Sequence, residues 1–288
     1  MTEGSKKRVQ AWWWLVRFFI ILFICNLITY VIIVLPFNFE LLIDRSLNDS
    51  NRGYNESEWY LLLMSLSGLI GSLMAFWYVK EKIEKTSAKE ICKPDVFKFF
   101  QGSNVGFFII TTAIGVMLIL NLVSFSFLSV SNLPKLFLIF AMVAISEEIV
   151  FRGYILNKLL ERAPKNFAII LSALLFSALH MANSHFGIIG FTNIFLSGVL
   201  LAIVYLHSDN LSVPIGLHFS WNLIQAILGF AVSGYQESGL MSITYNSSEG
   251  IVTGGEFGLE GSIILIPVVL ISIILFLQKN YFKTKTYK

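Results

Sequence analysis

Eight long apolar runs, separated by short polar or glycine-bearing stretches, follow one another along the chain. They cover about 12–35, 59–79, 105–130, 136–160, 167–181, 187–206, 213–232 and 262–277. A hydrocarbon core about 30 Å thick calls for roughly 20 apolar residues of helix, and several runs meet that length. No internal repeat, glycine-rich phosphate loop or low-complexity tract interrupts them. The pattern predicts an all-α fold: a polytopic membrane helical bundle of about eight transmembrane helices.

Composition strengthens this reading, because 56% hydrophobic and only 14% charged residues is more apolar surface than one soluble core can hide. Lys6, Lys7 and Arg8 precede the first run in the manner of a secretory signal. The run is too long for one and no small-residue cleavage site follows, so a retained helix is expected. Trp12, Trp13 and Trp14 sit where an interfacial aromatic belt would lie.

Lysine and arginine gather at the N-terminus, between Lys80 and Lys98, between Lys158 and Lys165, and from Lys279 to Lys288. The segment from Ser233 to Gly261 carries four glutamates and no basic residue. Both termini are therefore expected in the cytoplasm. The net charge of +3 is read as a topology signal, with no nucleic-acid partner implied. Cys25 falls in a membrane span and Cys92 in a cytoplasmic loop, which argues against a disulfide.

The loops 36–58 and 80–103 are too short and polar to fold alone, so residues 1–288 are expected to form one integral membrane domain with its chemistry within about 136–232. The 233–261 segment is long for a connection in a compact domain. It is read as a plain, disordered connection in preference to a cover over an outer opening.

Charge inside the membrane is confined to a few places. A charged side chain at mid-span costs at least about 2.5–3.5 kcal/mol, so Glu147, Glu148 and Arg152 on one helix require partners and a reason. Glu148 and Arg152 are four apart on one face and suit an ion pair. Glu147 is turned about 100° away and seeks another environment. Phe176 and His180 lie one turn apart on the next run, and His218 and Asn222 share a face two runs later.

An architectural ion cluster would explain the carboxylates alone, but two histidines and an asparagine in neighbouring spans point to hydrolysis. A glutamate can take a proton from water, histidines can hold a metal or bond a developing oxyanion, and an amide can donate to it. His185 and His207 lie near aqueous boundaries and are left out of the site. Ser146 has no base at helical spacing, and no HExxH or GxSxG motif is present.

Glu147-Glu148-Ile149-Val150-Phe151-Arg152 resembles the EExxxR motif of the CPBP family, which holds the type II CAAX prenyl endopeptidases and the Abi bacteriocin-processing and immunity proteins. Phe176 to His180 is similar to its FxxxH motif and His218 to Asn222 to its HxxxN motif. The resemblance covers about 144–225. It implies an intramembrane endopeptidase in which Glu147 activates water, His180 and His218 line the same cavity, and Asn222 stabilises the oxyanion. Glu148, Arg152 and Phe176 would support them.

No cofactor is expected to be obligatory. If Zn2+ takes part, Glu147, His180 and His218 are the expected ligands. The expected partners are the lipid bilayer and a peptide or protein with a membrane-associated segment: a prenylated CAAX substrate, a bacterial peptide pheromone or a bacteriocin precursor. The motif block and compact length point to a bacterial plasma membrane. A non-proteolytic membrane scaffold or bacteriocin self-immunity protein is the alternative. A proton-coupled transporter is disfavoured by the lack of broken helices or repeat symmetry.

Overall fold

The computed structural model describes residues 3–36 and 57–278. Most of the expected 36–58 loop and the lysines from Lys279 onward lie outside the described residues. Helix α1 spans Glu3–Ile33 and α2 spans Ser57–Trp77, the latter running on through a wider π-helical stretch, Tyr78–Ile83. Next come α3 (Val96–Ile119), strand β1 (Val123–Phe127) and α4 (Leu133–Glu148). Without a break, α4 continues through the π-helical Ile149–Leu156 into α5 (Asn157–Leu160). The remainder is α6 (Lys165–Leu179), α7 (Ile188–Ser208), α8 (Ser212–Ile227), β2 (Met241–Tyr245), the single turn α9 (Gly250–Thr253) and α10 (Leu265–Gln278).

The chain is mostly helical, and five helices among the described residues are long and apolar enough to cross a membrane: α1, α2, α3, α6 and α7. The other three expected spans take different forms. The fourth run is the α4–α5 helix, whose π-helical part is wholly buried and carries Arg152. The seventh yields only the 16-residue α8, because Gly229 turns the chain with a left-handed φ of 87° just past its end. The eighth is the 14-residue α10.

The third run begins earlier and ends sooner than its apolar residues indicate. Asp95 accepts a hydrogen bond from the Lys98 N–H at 3.0 Å and caps α3, so the helix takes in Val96 to Ser103, which were expected in a loop. After Ile119 the stretch VSFSF alternates and forms β1, paired antiparallel to β2 with Val123 opposite Tyr245 and Phe127 opposite Met241.

That pairing also corrects the reading of 233–261 as a disordered connection. The segment supplies β2, the α9 turn and two short 3-10 turns, and Glu237, Thr253, Phe257, Leu259 and Glu260 are buried. Its turns use glycines at positive φ where the chain packs against backbone, as at Gly258, whose missing Cβ would strike the Ala231 carbonyl.

Close packing fixes the one helix that must be placed well. Along α3, Gly102 and Gly106 meet Val213, Leu217 and Ser220 of α8, while Gly216 of α8 meets the Phe99 carbonyl. A methyl group at any of these glycines would collide with the opposite helix, so the two backbones touch, as small-xxx-small faces permit in membranes. On the outer faces the reverse holds: Phe23, Ile32, Phe108 and Ile119 stand exposed, as lipid-facing side chains should.

Candidate active site

The motif residues assemble because three helices turn their polar faces to one point. Glu147 and Glu148 end α4 where the helix widens into its π-helical stretch, a distortion frequent at functional sites. From α6 comes Phe176, with His180 at its C-cap. From α8 come His218 and Asn222.

The adjacent glutamates have opposite surroundings. Glu148 is fully buried, and its Oε1 accepts from Arg152 Nη1 at 2.6 Å and pairs with His218 Nδ1 at 2.9 Å. Arg152, equally buried, donates from Nη2 to the Gly198 carbonyl at 3.0 Å and lies with its guanidinium 4.8 Å from the Phe176 ring. The ion pair expected from the four-residue spacing is therefore formed, with an imidazole and an aromatic face as further partners. Glu147, 30% exposed at its side chain, faces a cavity instead.

Two hydrogen bonds set the histidine tautomers. His180 Nδ1 lies 2.8 Å from the Phe176 carbonyl, which can only accept, so the proton is on Nδ1. His218 Nδ1 faces the Glu148 carboxylate in the same way. Each ring thereby turns Nε2 toward Glu147 Oε2, at 3.9 Å from His180 and 3.8 Å from His218. That Oε2 is buried and has no hydrogen-bond partner among the described residues. Two imidazole lone pairs and a carboxylate oxygen therefore look across a gap that requires a donor, such as the two O–H groups of a water.

Glu147, Phe176, His180, His218 and Asn222 all line this cavity of about 140 Å3, whereas Glu148 and Arg152 stand behind its wall. Its remaining surface is largely apolar, with Ile139, Phe140, Leu201 and Leu217. The residues set aside are elsewhere: Ser146 donates to its own helix at Val143, His207 Nδ1 faces the Ile203 carbonyl, and His185 pairs with the exposed Glu256. Cys25 and Cys92 are free.

The sequence did not point to Glu260. It lines the same cavity, buried, accepting from Trp221 Nε1 at 2.8 Å and from Ser233 Oγ at 2.5 Å. Its backbone carbonyl accepts from Asn193 of α7 at 2.7 Å. Trp221 lies between His218 and Asn222 in sequence, so Glu260 ties the far end of the 233–261 segment to the motif helix. The only prior signal was a glutamate in a stretch without basic residues.

A histidine pair with a carboxylate has the chemistry of a catalytic zinc site. Among the described residues, however, no group of three or more histidine, cysteine, aspartate or glutamate side chains is arranged to hold a metal ion.

Residues 129–224 match the family model described as type II CAAX prenyl endopeptidase Rce1-like. The matched segment runs from just before α4 to within α8 and contains every motif residue named above. No curated protein and no solved structure matches the chain. The matched family is one of proteases, which supports a peptidase in an integral membrane setting.

Proposed function

We propose that the chain, whose residues 129–224 match the Rce1-like family model, is a CPBP-family intramembrane endopeptidase using water activated by Glu147. The observation that carries this reading is the buried, unpartnered Oε2 of Glu147 with two imidazole Nε2 atoms turned toward it.

A water in that gap donates to Glu147 and to an imidazole. Glu147 takes a proton as the water oxygen bonds to the scissile carbonyl carbon. The carbonyl oxygen gains the charge and accepts from the Asn222 amide. When the tetrahedral intermediate collapses, the C–N bond breaks and the proton held on Glu147 passes to the leaving amine. Glu148 keeps the His218 ring in its tautomer, and Arg152 holds Glu148.

At about 140 Å3 the cavity suits a peptide group with a flanking apolar side chain. Such a group is supplied by a segment of a membrane-anchored protein or by a peptide. A prenylated CAAX terminus, a peptide pheromone and a bacteriocin precursor all meet that description.

The test compares peptide termini in membranes and medium of cells carrying the wild-type protein or Glu147→Gln at matched expression. Loss of a general base is expected to slow cleavage by about 10²–10⁴-fold while protein abundance is unchanged. Termini that vanish in the variant identify the substrate, and cleavage of that substrate by purified protein is expected to withstand a zinc chelator. Unchanged termini, with a loss-of-gene phenotype still rescued by Glu147→Gln, would transfer the function to a non-proteolytic scaffold. Loss of activity to the chelator would put a metal between Glu147 and the histidines.

A further inference from the structure

A second cavity, about 440 Å3, opens where α1 meets the α4–α5 helix and the end of the π-helical stretch after α2. Its volume falls in the range of ligand pockets and is larger than that of the catalytic cavity.

Its polar side carries excess positive charge. Arg17, Lys158 and Arg162 line it against a single carboxylate, Glu84. Both oxygens of Glu84 are already engaged: Oε1 accepts from Tyr154 and Lys158 at 3.0 Å, and Oε2 from Lys80 at 3.0 Å. Burial pushes the Glu84 carboxyl up, but the hydrogen bonds from Lys158 and Lys80 outweigh it and hold the group below its ordinary value. Glu161, half exposed at the rim, pairs with Lys158 and Arg162. Arg17 has no ion-pair or hydrogen-bond partner among the described residues.

The same cavity contains an unmet donor. Trp14 lines it, and its indole Nε1 is buried without an acceptor. The Arg162 guanidinium sits 5.4 Å from the Trp14 ring, which places cation and N–H donor on one side chain's surroundings. Of the remaining lining, Ile21 and Ile83 offer accessible apolar surface, while Phe18 and Val79 are buried behind it.

Cations and an orphan N–H call for an anion rich in oxygen acceptors, and the adjoining apolar wall calls for hydrocarbon. We propose that this cavity binds one anionic glycerophospholipid, its phosphate against Arg17, Arg162 and the Trp14 indole and an acyl chain along the accessible Ile21 and Ile83. The bound lipid bridges α1 to the helix that carries Glu147. Without it, the contact of α1 with that helix rests on aromatic packing, with Phe18 stacked on Tyr154 at 3.9 Å between ring centres and Trp14 edge-on at 5.9 Å.

The test uses the full chain in detergent micelles and follows thermal unfolding with dioleoyl phosphatidylglycerol, dioleoyl phosphatidylcholine or glycerol 3-phosphate. Phosphatidylglycerol is expected to raise the midpoint saturably, as a ligand of the folded state must, and the other two are not. Arg17→Gln is expected to remove at least half of that shift, whereas Lys165→Gln, an exposed lysine outside the cavity, keeps all of it. Arg17→Lys, which retains the charge, guards against a folding defect in the first variant and is expected to keep most of the shift. Equal stabilisation by glycerol 3-phosphate would assign the cavity to a soluble phosphate and overturn the lipid reading. Equal stabilisation by phosphatidylcholine, or a full shift in Arg17→Gln, would overturn the site itself.

Discussion

Glu147 and Glu148 are neighbours in sequence, yet one faces a cavity with an unpartnered oxygen and the other is closed in by Arg152 and His218. Their roles should separate accordingly. Removing Arg152 leaves Glu148 buried without its cation, and breaking such a pair costs about 3–5 kcal/mol. Arg152→Ala is therefore expected to reduce folded protein sharply, measured as monodisperse yield from membranes, whereas Glu147→Gln is not. Replacing both partners, Glu148→Leu with Arg152→Met, is expected to recover part of that yield, because the unpaired charge is gone. Cleavage should stay low in the double variant, since His218 Nδ1 then lacks its acceptor and the ring loses its orientation. Full activity in the double variant would show that the His218–Glu148 bond contributes nothing to catalysis.

Helix α8 carries two of the proposed catalytic side chains, and its position depends on having no side chains at Gly102, Gly106 and Gly216. Gly102→Leu is expected to force α3 from α8, at a cost of about 1–3 kcal/mol or more for overpacking, with loss of both yield and cleavage. Gly115→Ala on the same helix meets open space and is expected to leave both unchanged. The same glycines show where sequence reasoning falls short. Gln101 to Ser103 read as loop residues because they are polar or small, although Gly102 is small so that backbones can touch. The site itself was legible because its pairs recur at helical spacing: Glu148 with Arg152, Phe176 with His180, and His218 with Asn222 each keep to one face. Glu260 was not, because it lies in an irregular segment where no period says which side chain turns inward. β1 was hidden for a related reason: the alternation in VSFSF sits at the end of a long apolar helix and continues its hydrophobicity.

The α4–α5 helix also supplies a ruler for the molecule. From Leu133 to Leu160 it is about 40 Å long at roughly 1.5 Å per residue, enough to cross the hydrocarbon, and Glu147 lies near its middle. Near its start, Lys135 pairs with Glu237 at 2.7 Å, at the end where β1 and β2 join. At its other end, Lys158 meets Glu84 beside Lys80 and Arg162. Basic residues outnumber carboxylates at this second end, where Arg17, Lys80, Lys158 and Arg162 stand with Glu84 and Glu161, so it should face the cytoplasm. With Cys25 and Cys92 changed to serine, a cysteine at exposed Ser248 is then expected to react with a membrane-impermeant maleimide in intact cells, and one at exposed Lys89 only after permeabilisation. That outcome would put the 233–261 segment, which walls the cavity with Ser233, Tyr235 and Glu260, on the outer side. The opposite labelling would invert the molecule and turn that wall toward the cytoplasm. Because Ser233, Tyr235 and Glu260 line one cavity with Glu147, the labelling also states toward which side of the membrane that wall of the cavity lies.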